Sequence, residues 1–203
     1  MELIGMLDSP YVRRVAVTAQ FHGLSYEHRP MSIFRQYDEL RSINPMVKVP
    51  SLVCDDGKLL VESTLIIAYF DAISESDIQL MPADAGDYLV ALRHTGEALV
   101  AMEKTVSLYY ERSQRPEEKQ HEPWKARLEQ QLAGALTLTE AAVAGVPEWI
   151  FGEDISQADI SVAIAWRFAT VMLNNRFDLS CYPGLVEFSE RAEALPQFQA
   201  CDF

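Results

Sequence analysis

Cysteine is scarce in this chain: Cys54, Cys181 and Cys201 are its only three, an odd number at wide spacing with no C-x-x-C. That argues against a disulfide framework and a thiolate zinc site, and it suits a reducing, cytoplasmic location. The four histidines, His22, His28, His94 and His121, are scattered, and none meets another at the i, i+4 spacing of a helical metal site. No metal is expected. Basic residues are in deficit, with 17 Lys and Arg against 30 Asp and Glu, a net charge of -13. Such a field repels a phosphate backbone, so nucleic acid is not an expected partner. No run approaches the roughly 20 apolar residues that span a bilayer. The opening MELIGMLDSPY has too short an apolar stretch, and no positive charge ahead of it, for a signal peptide. Neither export nor membrane insertion is expected.

What is present is an ordinary folded composition, 49% hydrophobic and 23% charged over 203 residues, written in two different patterns. From Met1 to about Ser74 short strand-like runs alternate with short helices. Glu2 to Met6 reads as a buried strand. Pro10 to His22 reads as a helix with Val12, Val15, Ala16 and Ala19 on one face and Gly23 at its stop. Ser25 to Arg29 is a strand, Tyr37 to Ile43 a helix that ends before Asn44-Pro45, and Val49 to Val53 with Lys58 to Val61 a hairpin around Asp55-Asp56-Gly57. Ser63 to Ile73 closes this half as a helix, giving βαβαββα.

The division expected is 1–74 for the first domain, 75–86 for a linker and 87–203 for an all-helical domain. Its helices are Tyr88 to Arg115, a second whose buried stripe is Trp124, Leu128, Leu132, Ala135, Leu136 and Thr139, and Ile160 to Met172, apolar nearly all round and hence central. Ser156-Gln-Ala-Asp159 ahead of the last is a capping box, with Ile155 and Ile160 as a staple; its role is folding.

Three small features in the first half bear on chemistry. Asp8-Ser9-Pro10-Tyr11 puts proline at the first helical position and Ser9 at the N-cap. Ser9 either caps the helix alone or also faces an anion drawn by the helix dipole. Asn44-Pro-Met-Val-Lys-Val-Pro50 puts Pro50 at the start of a strand, where a cis Val49-Pro50 bond is one cause. Glu62-Ser63 opens a helix with Ser63 as N-cap, either a plain cap or a site where Ser63 takes a carboxylate and Glu62 an ammonium group. An α-amino-acid head carries both charges.

In their order and placement these features, with S-Q-A-D-I in the helical half, resemble the glutathione transferases over nearly the whole chain. The resemblance implies a thioredoxin-like α/β N-terminal domain with a mixed sheet, followed by an all-α bundle. It also implies glutathione as co-substrate. Ser9 then hydrogen-bonds the sulfur, Val49 ahead of Pro50 pairs its backbone with the cysteinyl unit, Glu62 and Ser63 bind the γ-glutamyl head, and Lys48 meets the glycyl carboxylate. The absence of cysteine at or beside Ser9 sets the chain apart from the cysteine-type classes, and the S-S-C start of the zeta-class isomerases is absent too. A second-substrate pocket is expected between the domains, with Leu7, Tyr11, Tyr109 and Trp166 as candidates. The reaction implied is addition of glutathione to small electrophiles or reduction of organic peroxides, by a homodimer. The alternative is a non-catalytic relative that binds proteins.

Overall fold

A computed structural model describes residues 1–173 and 179–203 as two compact units. The first comprises Met1–Gln79 and Leu195–Phe203, and the second comprises Leu80–Ala194.

The first unit runs β1 (Glu2–Ile4), α1 (Pro10–Phe21), β2 (Glu27–Arg29), α2 (Tyr37–Ile43), β3 (Ser51–Val53), β4 (Leu59–Val61) and α3 (Ser63–Ile73). The strands lie in the order β2-β1-β3-β4, with β1 parallel to β2 and antiparallel to β3, which is antiparallel to β4. This is the mixed βαβαββα sheet read from the sequence. The strands are shorter than their apolar runs: Gly5 leaves β1 at φ 137°, and β3 starts at Ser51, just after the cis Val49-Pro50 peptide bond. The hairpin closes as read, with Cys54 N–H donating to the Lys58 carbonyl at 2.8 Å and Gly57 at φ 80°.

Helix α1 buries Val12, Val15, Ala16 and Ala19 completely, and it buries Arg13, Arg14, Val17 and Thr18 as well. The one-faced pattern read from the sequence therefore understates its burial: α1 is a central helix, packed against α3 and against α8 (Pro196–Gln199). Arg13 holds the last segment in place, its Nε donating to the Cys201 carbonyl at 2.9 Å and its guanidinium lying 5.2 Å from the centre of the Phe203 ring. The sequence reading places 195–203 in the helical domain; in the structure these residues pack within the first unit, because a buried guanidinium needs acceptors and they supply them.

The second unit contains α4 (Ala85–Ser113), α5 (Glu122–Val143), α6 (Gln157–Leu173) and α7 (Pro183–Glu193). Helix α4 starts three residues before the expected Tyr88, since Asp84 Oδ1 accepts from the Gly86 and Asp87 N–H groups at 2.8 and 3.1 Å. In α5 the residues Leu128, Leu132, Ala135, Leu136 and Thr139 are buried as read, but Trp124 is 44% exposed. It lies in the first turn, one turn before the buried stripe starts at Leu128. Glu140 of α5 caps α7 from outside, accepting from the Gly184 and Leu185 N–H groups at 2.8 and 2.7 Å.

At the start of α6, Asp159 Oδ2 accepts from the Ser156 N–H at 2.7 Å and from its hydroxyl at 2.5 Å, while Oδ1 accepts from the Ile150 N–H at 2.8 Å. The carboxylate thus fixes both the helix start and the loop before it. Among the described residues no helix is long and apolar enough to cross a membrane, and no group of three or more metal-ligating side chains is present.

Candidate functional site

Sheet register brings the three sequence features together. Ile4 lies opposite Ser51 across β1 and β3, and Ser51 lies opposite Val61 across β3 and β4. The chain leaving β1 toward Ser9, the chain entering β3 through Val49 and Pro50, and the chain leaving β4 into Glu62 and Ser63 therefore all occur at one end of the sheet. Gly5 closes the first two against each other. A Cβ added there would sit 2.5 Å from Val12 Cγ2 and 3.0 Å from Val49 Cβ, so only glycine admits α1 and the cis-proline loop this close.

Ser9 is the N-cap of α1, its Oγ accepting from the Val12 N–H at 3.4 Å. Capping uses an oxygen lone pair and leaves the hydroxyl proton to be donated elsewhere, so the two readings of Ser9 are compatible. The Val49 side chain packs against the Ile4, Met31 and Leu40 cluster, which leaves its main chain as the part that can meet a ligand. Asn44 holds the loop. Fully buried, it donates through Nδ2 to the Lys48 carbonyl at 3.2 Å and to Ser51 Oγ at 2.9 Å, and its Oδ1 accepts from the Met46 N–H at 3.0 Å. Lys48 is exposed.

At the third feature the N-cap of α3 is Glu62, one residue earlier than the sequence reading, and Ser63 is the first helical residue. Glu62 Oε2 accepts from the Thr64 N–H at 3.1 Å, and Oε1 accepts from the Ser63 hydroxyl at 3.1 Å. The carboxylate reaches over the first turn to satisfy a free N–H, which is why the acidic residue and not the serine takes the cap. Glu62 has φ 73° and Val47 has φ 50°, left-handed backbone in residues other than glycine. Each such residue costs about 1–3 kcal/mol, and such strain gathers where function holds it in place. Beneath this turn lies Arg14, fully buried, donating from Nη1 to Ser63 Oγ at 3.0 Å and to Thr64 Oγ1 at 3.1 Å. Burial lowers its pKa to about 10, with Glu62 and then Tyr11 opposing.

Of the pocket candidates, Leu7 and Tyr11 are half-buried in the first unit. In the second, Tyr109 is 38% exposed on α4, and Trp166 is buried on α6 with its ring 5.6 Å from that of Tyr182, edge to face. Sequence reasoning missed Gly5, Arg14, Asn44 and Ser51. The signal for Asn44 was the Asn-Pro pair, since an asparagine amide commonly ties down the turn that follows it.

A four-stranded mixed sheet with a cis-proline loop and two helix starts at one end defines a thioredoxin-like domain, here joined to an all-helical one. Residues 3–77 match the glutathione S-transferase N-terminal domain family. A maize glutathione transferase, GST 23, is 31% identical over 84 residues, an alignment that spans 41% of this chain and 38% of the maize protein. A Methylobacterium radiotolerans glutathione S-transferase solved with glutathione sulfonate superposes with a TM-score of 0.90 at 26% identity, over 98% of this chain and 93% of that one. A Pseudomonas fluorescens family member with bound glutathione gives 0.85 at 26% identity, over 98% and 97%. The first unit thus matches the N-terminal domain of the glutathione S-transferases, and over nearly its whole length the chain is similar in fold to solved glutathione transferases.

Proposed function

We propose that the protein is a glutathione transferase that binds glutathione at this end of the sheet, stabilises its thiolate and adds it to small electrophiles. The observation that carries this reading is the Ile4–Ser51–Val61 register, which gathers Ser9, Val49 and the Glu62-Ser63 pair. Ligands of the two structural relatives above are glutathione sulfonate and glutathione.

Each part of the tripeptide has a counterpart. Glu62 takes the γ-glutamyl ammonium group, while Ser63 and the N-terminus of α3 take its carboxylate. The Val49 main chain, held by the cis bond to Pro50, pairs with the cysteinyl unit. Lys48 meets the glycyl carboxylate. The sulfur then lies at the start of α1, where the Ser9 hydroxyl donates to it and the helix N-terminus favours its negative charge. An unperturbed thiol of pKa about 8.5 is mostly protonated at neutral pH, and a donor to the anion lowers that value and raises the thiolate fraction. The thiolate attacks an electrophilic carbon and the leaving group departs with its electron pair. With an organic peroxide, two glutathione molecules are oxidised to the disulfide while the peroxide is reduced to an alcohol and water. Leu7 and Tyr11, half-buried in the first unit, are proposed to contribute to the second-substrate pocket.

Ser9→Ala tests the mechanism. It costs about 1 kcal/mol of stability as a lost cap. It also returns the bound thiol toward its ordinary pKa, with about tenfold less thiolate at neutral pH for each unit that the pKa rises, and turnover falls with it. Glutathione affinity falls less, because Val49, Glu62 and Ser63 are intact. Thiolate absorbance against pH in the two complexes is the measurement; an identical thiol pKa removes Ser9 from the chemistry.

We also propose a two-fold homodimer with α4 and α5 at the interface. Supporting it, Leu89 and Leu92 of α4 are 66% and 48% exposed, and Leu138 of α5 is 46% exposed. Sedimentation at micromolar concentration should give a species of twice 22.9 kDa. A monomer alone would remove the dimer from the proposal.

A further inference from the structure

We infer that the segment 195–203 sets the position of Ser9 through Arg13, with Phe203 as a positioning residue for the thiol, an inference that rests on the glutathione site proposed above. Ser9 is held loosely by its own side chain, since the cap bond from the Val12 N–H to its Oγ is 3.4 Å long. The firmer bonds are to its main chain, where the carbonyl accepts from the Arg13 N–H at 2.9 Å and the N–H donates to the Met6 carbonyl at 3.1 Å. A shift of Arg13 therefore carries Ser9 with it.

Arg13 is fully buried and is gripped by residues distant in sequence. Its Nε donates to the Cys201 carbonyl at 2.9 Å, and its guanidinium lies 5.7 Å from the centre of the Phe198 ring and 5.2 Å from that of Phe203. The gripping segment is itself anchored. Phe198 is fully buried and meets Phe21 edge to face at 6.5 Å, and the Tyr26 hydroxyl hydrogen-bonds the Cys201 thiol. One short segment thus holds α1 near both ends, at Arg13 in its first turns and at Phe21, its last residue. Filling this space does not call for a cation, because an apolar side chain would do so without the cost of leaving water. What the guanidinium adds is a fixed orientation, as a planar group bonded to a carbonyl and placed over aromatic rings. A donor to a thiolate needs that precision, since a reacting geometry is kept within about 0.5 Å only where a supporting layer locks it. Phe203 is the part of the support that can be removed with least harm to the fold, being 38% exposed.

The test reads the thiol as well as the turnover. Wild type, Phe203→Ala and Phe203→Tyr are compared by thiolate absorbance against pH in the glutathione complex and by steady-state kinetics. Phe203→Ala should raise the pKa of the bound thiol by about half a unit, which is about threefold less thiolate at neutral pH, and kcat should fall by the same factor. Above the raised pKa the thiolate is fully formed and kcat should return to the wild-type value, whereas a loss of folded protein lowers kcat equally at every pH. KM for glutathione should change little, because Val49, Glu62 and Ser63 lie outside α1. Phe203→Tyr, which keeps a ring beside Arg13, should restore the wild-type pKa. In the Ser9→Ala background Phe203→Ala should have no further effect on the thiol, as two changes that act through one group are not additive. A wild-type pKa in Phe203→Ala, or an equal shift with and without Ser9, would overturn the inference while leaving the glutathione site standing. If Ser9→Ala itself leaves the thiol pKa unchanged, the proposed role of Ser9 fails and this inference fails with it.

Discussion

Asp159→Ala should destabilise the protein by about 3–5 kcal/mol. The carboxylate accepts three hydrogen bonds, from the Ser156 N–H, the Ser156 hydroxyl and the Ile150 N–H, in a fully buried position. Bonds to a charged group are worth about 1.5–3 kcal/mol each, and a buried donor left without an acceptor costs about 1–3 more. The loss falls on α6, whose residues from Ala158 to Ala165 are all buried. Burial also pushes the Asp159 carboxyl above its ordinary 3.8, with its donors pulling the other way. The folded chain thus binds this proton more tightly than the unfolded one. Its contribution is largest below the unfolded value of about 4 and declines as pH rises through the raised value. The stability gap between wild type and Asp159→Ala in urea unfolding should therefore narrow as pH rises through that window. A gap that widens, or one below 1 kcal/mol, would contradict this account.

Gly5→Ala should cost about 3 kcal/mol or more and should impair the site as well. The added Cβ meets Val12 Cγ2 at 2.5 Å and Val49 Cβ at 3.0 Å, and φ 137° is backbone that an alanine resists. Overpacking alone costs about 1–3 kcal/mol, and the backbone strain is of similar size. Since relief comes by moving α1 or the cis-proline loop, the carriers of Ser9 and Val49 separate. Gly5→Ala should weaken glutathione binding even under conditions where it is fully folded. Unchanged stability in denaturant would show that the three elements approach less closely than described.

Much of this was legible in the sequence because local chemistry decided it. Pro10 behind Ser9, the Asn44-Pro45 stop, the Asp55-Asp56-Gly57 turn and the Ser156-Asp159 box each hold their own partner within a few residues. Their positions follow from short-range rules. Arg13 and Arg14 were illegible for the opposite reason. Periodicity turns charged residues outward, and what overrides it here lies 188 residues away at Cys201 and 49 residues away at Ser63. Trp124 failed in the other direction, since an apolar side chain extends a stripe on paper whether or not the fold covers it. At Glu62 the rule that serine caps helices misled by one residue, because the neighbouring carboxylate reached the Thr64 N–H first.

The grip of Arg13 on Cys201 also bears on the order in which the chain acquires its shape during synthesis. A ribosome adding about 5–20 residues per second needs roughly 10–40 s to deliver the acceptors of Arg13. All of Leu80–Ala194 emerges in that interval. The helical unit can therefore mature on the nascent chain, while the sheet-bearing unit, although begun first, waits for Leu195–Phe203 and is completed last. A truncated chain that stops before Leu195 would present a finished bundle joined to an α1 whose buried arginine lacks its distant carbonyls, and that half is where chaperones and proteases should find their first hold.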